Sequence, residues 1–112
     1  MTDEAPISRV VETIKKKYRP EKIILFGSRV WGQPDSDSDL DVLIIKRSRK
    51  REIERMREAY RLVQQYQRRP YRLSLDILVK TPAEVSERLA MGDDFLRRII
   101  EDGKVVYERV AV

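Results

Sequence analysis

The sequence predicts an α/β domain in which a short β-sheet is flanked by helices. Three observations carry that expectation. Apolar runs of strand length recur near 22–26, 39–46 and 72–80, and the longer stretches around them place apolar residues at helical spacing. The order strand, helix, strand across 39–80 is that of a crossover unit, which puts the second and third strands in one sheet. At 112 residues the chain is long enough for a single core and too short for two, so residues 1–112 are read as one domain.

Taken in order, Ile7, Val10, Val11, Ile14 and Tyr18 mark one face of a first helix, with Asp3 or a neighbour as its cap and Pro6 in its first turn. Arg19-Pro20 ends it, because the residue before a proline is pushed out of the helical region. Lys22–Phe26 is a strand apolar enough to be covered on both faces. Residues 27–32 turn away from it with about one helical turn, in which Trp31 reads as a partly buried wedge. The second strand runs from about Asp39 to Lys46. A long helix over about Arg49–Arg68 follows, with Ile53, Met56, Tyr60, Val63 and Tyr66 or Gln67 on one side.

The third strand, Arg72–Lys80, puts Leu73, Leu75, Ile77 and Val79 on one face and Ser74, Asp76 and Leu78 on the other. Thr81-Pro82-Ala83-Glu84 is a capping box with proline at the first helical position, opening a helix that carries Val85 and Leu89 and stops at Gly92. Asp93 or Asp94 starts another helix, with Phe95, Leu96, Ile99 and Ile100 inward and Gly103 past its end. Lys104–Glu108 reads as a last short strand or extended tail.

Composition narrows the chemistry. The chain is 41% hydrophobic and 38% charged, as expected of a globular protein with a heavily ionised surface. No apolar run is long enough to cross a bilayer and the acidic start is unlike a secretory signal, so a cytoplasmic location without a membrane partner is expected. Cysteine and histidine are both absent. Disulfides, the usual zinc sites, thiol nucleophiles and histidine acid/base chemistry are thereby excluded, and carboxylates are the strongest remaining candidates for catalysis.

The stretch Phe26 to Ile45, FGSRVWGQPDSDSDLDVLII, concentrates them. Side chains at i and i+2 of a strand share a face, so Asp39 and Asp41 project side by side from the start of the second strand. A divalent cation would account for two bare carboxylates there, since hard Mg²⁺ takes oxygen ligands from one or two carboxylates plus substrate phosphates. Gly27 lets backbone approach a phosphate, the N–H groups of a turn starting at Ser28 would point at the anion, and Arg29 could reach it. Asp37 shares the i+2 spacing with Asp39 and is a rival ligand. In the third strand, Asp76 sits in a segment so apolar that burying it would be costly unless it were paired or metal-bound, and it is expected to meet Asp39 and Asp41 across the sheet. The plain alternatives are an ordinary turn for Gly27-Ser28, a solvated loop for the aspartates before Leu40, and a salt bridge to an arginine for Asp76.

Gly27-Ser28, Gly32 and Ser38-Asp39-Leu40-Asp41 together resemble the pattern of the nucleotidyltransferases related to DNA polymerase β, and the short chain resembles their minimal nucleotidyltransferase (MNT) subfamily. The resemblance implies an α/β polymerase β-like fold with a short mixed sheet flanked by helices. It implies that Asp39, Asp41 and Asp76 are catalytic and bind two Mg²⁺ ions, while Gly27, Ser28 and Arg29 contact the triphosphate of ATP or another NTP. The activity implied is transfer of a nucleoside monophosphate, AMP by preference, to an acceptor hydroxyl. Within the subfamily it further implies a helical HEPN-type protein partner, this chain acting as the antitoxin of a HEPN/MNT toxin–antitoxin pair. The competing class is a binding antitoxin or regulatory subunit with the same fold and no turnover.

The net charge of +5 is unevenly placed. Residues 46–72 hold eleven Lys/Arg against three Asp/Glu, a local +8 that leaves −3 elsewhere. Such a stripe suits an acidic partner, a nucleotide tail or RNA, and its plain alternative is a solvated helix face. With no room for a large acceptor-binding domain, the acceptor surface is expected to come from another polypeptide or a homo-oligomer.

Overall fold

Four strands form one mixed sheet in the order β3-β2-β1-β4 in the computed structural model, which describes residues 4–32 and 39–110. β1 is Lys22–Phe26, β2 Leu40–Ile45, β3 Leu75–Lys80 and β4 Lys104–Glu108. β1 runs antiparallel to both β2 and β4, and β2 runs parallel to β3. The expected α/β architecture is therefore present, and the last strand is a strand rather than a tail. Asp3 and Asp37, offered above as a helix cap and a rival ligand, lie outside the described residues.

Alternation along the strands sorts the core into two layers. Ile23, Leu25, Leu40, Val42, Ile44, Leu75, Ile77 and Val79 face one side and pack on α1 (Glu4–Thr13), the π-helical turn Ile14–Tyr18 that extends it, and α3 (Glu52–Val63). Ile24, Phe26, Leu43 and Ile45 face the other side, against Leu96 and Ile99 of α5 (Asp94–Asp102) and Val85 and Leu89 of α4 (Pro82–Ala90). Because β1 and β2 are covered on both faces, they read as continuous apolar runs. The four-residue helix α2 (Ser28–Trp31) follows β1, and Trp31 wedges it in place. Its ring lies 5.9 Å from that of Phe26, its Nε1 donates to the Asp102 carbonyl at 3.1 Å, and Arg98 stacks over it at 4.1 Å.

Several expectations need correction. The first helix does end at Arg19 as expected, with that residue in a left-handed conformation (φ 53°), but later bounds differ. β3 begins at Leu75, because Arg72 is also left-handed (φ 47°) and the chain is still turning there. α3 ends at Val63 and tightens into a 3₁₀ turn over Gln64–Gln67.

Its buried stripe is also rotated from the one expected. Arg55, Ala59, Val63 and Tyr66 are buried, whereas Ile53 is 48% exposed. In α5, Phe95 is 53% exposed and only touches Phe26 edge-on, while Leu96 and Ile99 fill the core. Both misplaced apolar residues lie in the first turn of a helix, Ile53 in α3 and Phe95 in α5. Among the described residues no helix is long and apolar enough to cross a membrane.

Buried Arg55 is the main polar feature of the core. Its guanidinium is 2% exposed and bonds Glu84 at 2.9 Å, joining α3 to α4 around the edge strand β3. Glu84 also closes the capping box, accepting from the Thr81 N–H at 2.8 Å while Thr81 Oγ1 accepts from the Glu84 N–H at 3.1 Å. Burial raises the Glu84 pKa, but the bonds from Arg55 and Thr81 outweigh that and hold it below the ordinary range.

One prediction follows from this double use of Glu84. Thr81→Ala is expected to cost about 1 kcal/mol, the value of one cap. Glu84→Ala removes the reciprocal cap and strands a buried cation, so about 2–3 kcal/mol is expected; the full cost of breaking a wholly buried pair is reduced because Glu84 is partly exposed. Arg55→Met, which removes the charge and keeps the volume, should stay within about 1 kcal/mol of wild type. Urea unfolding midpoints of the three variants test the ranking.

Candidate active site

Where β1 ends and β2 begins, backbone register brings the acidic residues together. Phe26 pairs with Asp41 across the antiparallel β1–β2 ladder, and Asp41 pairs with Asp76 across the parallel β2–β3 ladder. Residues paired in register point to the same face, so Asp41 and Asp76 are neighbours one strand spacing apart, about 4.8 Å. Asp39 precedes Asp41 by two residues and Ser74 precedes Asp76 by two. The Ser74 hydroxyl donates to Asp39 Oδ1, closing a four-residue patch at the start of the two strands. The patch lies on the α4/α5 face, beyond the part of the sheet those helices cover, so Asp39 and Asp76 are exposed and Asp41 is half-buried.

This placement changes the reason for expecting Asp76. The burial cost argued from its apolar strand does not apply, because β3 is an edge strand and the Asp76 side chain reaches solvent. The desolvation falls on Asp41 instead. Burial raises the Asp41 pKa, and the charges of Asp76 and Asp39 raise it further. No cation is among the groups that set its ionisation.

Gly27 is required by the same carboxylate. Its backbone (φ 85°, ψ −161°) lies in a region that only glycine populates readily. A methyl group built there would overlap Asp41 Oδ2 and sit 2.9 Å from Asp41 Cγ. The glycine thus lets the turn into α2 pass directly over the Asp41 carboxylate. Ser28 opens α2, and the Gly27 carbonyl accepts from the N–H groups of Val30 and Trp31 at 2.9 and 2.8 Å. Arg29 lines a cavity of about 700 Å³ with Leu25, Val30 and Leu40 on the α1 side of the sheet, the face opposite the carboxylates.

Sequence reasoning missed Ser74. The signal available was its place two residues before Asp76 on the same face, which matches the Asp39–Asp41 spacing on the partner strand. Among the described residues no group of three or more Asp or Glu side chains could hold a metal ion in the arrangement they adopt.

Three outcomes are expected. Gly27→Ala should destabilise by about 2 kcal/mol, from backbone strain and the overlap with Asp41. Asp41→Asn, which removes the charge and keeps the shape, should raise the melting temperature of the metal-free protein by about 2–5 °C, the usual scale of relieved strain at a site. The third is a pH dependence. Ionised Asp41 is the costly form, so its penalty disappears as pH falls from neutrality through its raised pKa. Glu84, with a lowered pKa, stabilises above the ordinary carboxylate range and that contribution is lost as pH falls further. In a melting-temperature series on metal-free protein, Asp41→Asn should therefore gain most over wild type at neutral pH, and the gain should vanish as pH falls through the raised Asp41 pKa.

The fold and this patch can be set beside known proteins. A Methanocaldococcus jannaschii protein named "Putative protein adenylyltransferase" is 45% identical over 47 residues, a stretch that is 40% of this chain. The match spans 47% of that relative, about half its length. A crystal structure titled as a "putative nucleotidyltransferase" from Sulfolobus solfataricus superposes with a TM-score of 0.59 at 20% identity, covering 94% of this chain and 79% of that one. At that identity the likeness is one of fold. The model of the family described as "Polymerase beta, Nucleotidyltransferase" matches residues 8–111, nearly the whole chain. Gly27, Asp39, Asp41 and Asp76 all fall within the match, and the chain belongs to this nucleotidyltransferase family.

Proposed function

We propose that the protein transfers a nucleoside monophosphate, AMP from ATP, to a hydroxyl on a partner protein, with Asp39, Asp41 and Asp76 as its Mg²⁺-binding carboxylates. The observation that carries this is the acidic patch itself: three carboxylates on one face beside a glycine turn, the pKa of Asp41 raised by burial and then by the charges of Asp76 and Asp39. Structural carboxylates are normally neutralised by a cation or exposed singly. A cluster of carboxylates that repel one another, with no cation among the described groups that shift Asp41, is what a site for an external cation requires.

The donor set fits a hard divalent ion. Every candidate ligand is a carboxylate or hydroxyl oxygen, and the chain has no histidine or cysteine to favour a softer metal. Asp39 and Asp76 are exposed beside Asp41, and the Ser74 hydroxyl orients Asp39. Bound divalent ions would neutralise the charge that builds on the transferring phosphoryl group and the departing pyrophosphate.

The chain's own residues have distinct parts in this reading. The turn from Gly27 to Ser28 holds the outer phosphates through backbone N–H groups and the Ser28 hydroxyl, and Arg29 adds a phosphate contact by reaching around from the opposite face. Asp76, exposed on the edge strand β3, accepts the proton of the attacking hydroxyl. The acceptor oxygen forms its bond to the α-phosphorus as the bond to pyrophosphate breaks in line. AMP as the group and protein as the acceptor are supported by the name of the M. jannaschii relative. Pairing with a HEPN-type toxin, for which this chain would be the MNT antitoxin, is supported by the motif resemblance alone.

The test is the intact mass of the product of the neighbouring gene after incubation with this chain, ATP and Mg²⁺. One added AMP per partner molecule is expected, with Asp39→Ala and Asp41→Ala slowing its appearance at least about 100-fold. A stable complex that gains no mass with any of the four NTPs would overturn transfer and leave a binding antitoxin.

A further inference from the structure

The outer side of α3 carries a groove that neither the core nor the acidic patch uses. Ile53, Met56 and Tyr60, at i, i+3 and i+7, form its floor, and Arg57, Arg61 and Gln64 form its wall, enclosing about 510 Å³. Ile53 is 48% exposed despite its size. The Tyr60 hydroxyl accepts from the Ile77 N–H at 2.8 Å, so the floor abuts the free edge of β3 and blunts it.

Charge sets this groove apart from an ordinary surface dip. Within the basic segment, Lys50, Arg51 and Arg55 are engaged by Glu58, Glu54 and Glu84. Arg57, Arg61, Arg68, Arg69 and Arg72 form no ion pair among the described residues, and all five are exposed. They run along the groove and past its end into the segment leading to β3. That segment is tied back to α3 by the Leu73 N–H, which donates to the Tyr66 carbonyl at 2.8 Å. The far end of the groove therefore points toward the start of β3, where Ser74 and Asp76 lie.

We propose that this groove seats an acidic amphipathic helix of a partner protein. An apolar stripe at i, i+3 and i+7 walled by arginines complements a helix with apolar residues at the same spacing and Glu or Asp beside them. RNA fits less well, because the floor is aliphatic and its one aromatic ring is half-buried with its hydroxyl occupied. Face-to-face pairing of two copies would oppose two such arginine rows. The inference deepens the proposed transfer to a protein by giving the acceptor protein a docking surface that leads to the acidic patch.

The probe is a fluorescent synthetic helix of about 18 residues with leucine at i, i+3, i+4 and i+7 and glutamate elsewhere, measured by anisotropy at near-physiological salt. A scrambled peptide of the same composition and a poly(U) RNA serve as comparators. Saturable binding of the patterned helix is expected, with about tenfold or greater weakening by scrambling, by Ile53→Asp and by Arg57→Glu with Arg61→Glu. Absence of binding, equal binding of the scrambled peptide, displacement by the RNA, or indifference to the three substitutions would each overturn the docking surface. Affinity of the same variants for a fluorescent ATP analogue with Mg²⁺ is read in parallel. Loss of peptide binding with ATP binding intact locates the effect in the groove, whereas wild-type protein that takes the peptide but no nucleotide would sink the transferase reading alone.

Discussion

Like-charge repulsion among Asp39, Asp41 and Asp76 is the interaction on which the rest of the site depends. The sheet imposes it, because register alone makes Asp41 the neighbour of Asp76 and opposes Asp41 to Phe26 at the very end of β1. Folding buries half of the Asp41 side chain in that company, and its pKa rises as a result. Gly27 is needed because the turn that follows β1 crosses this carboxylate, and Ser74 serves to orient Asp39. A native state that tolerates such a cluster gives up stability at one place, as functional sites commonly do.

The opposite end of the same two strands shows the contrast. There β2 and β3 deliver Lys46 and Lys80, and the helices that follow them carry Glu52 and Glu84 in their first turns. Lys80 bonds Glu52 at 2.6 Å, Arg55 bonds Glu84 at 2.9 Å, and Lys46 lies over the Tyr18 ring at 4.7 Å. Tyr18 donates to the Arg55 carbonyl and to Glu58 at 3.2 Å each, and burial drives its pKa upward. Lys46, Lys80, Glu52 and Glu84 at that end all have partners, while at the start of the strands the carboxylates lie beside one another. The parallel β2–β3 pair is thus polarised along its length, with its structural electrostatics at one end and its uncompensated acids at the other.

Much of this was legible from residues alone. Period-2 alternation placed Asp39 and Asp41 on one face, and the strand–helix–strand order placed Asp76 beside them, because a crossover makes the second and third strands parallel neighbours. The capping box at Thr81 was readable because its chemistry is local. What failed needed long-range information. Arg55 reads as one of many surface arginines until Glu84, 29 residues on, is brought over the edge of β3. Ile53 and Phe95 have core-like side chains, and only the way their helices pack on the sheet shows that both are about half exposed. The burial argued for Asp76 failed for the same reason, since sequence does not say which strand is at the edge.

The most direct test of the acidic patch as a divalent-cation site is a carboxyl-carbon NMR titration of Asp41 with and without Mg²⁺. The account predicts a raised pKa in metal-free protein that falls to or below the ordinary aspartate range with saturating Mg²⁺, the shift being absent with Ca²⁺-free, Mg²⁺-free buffer of matched ionic strength. A raised pKa that Mg²⁺ leaves unchanged would contradict it, and the three carboxylates would then be a strained feature of the fold rather than its catalytic centre.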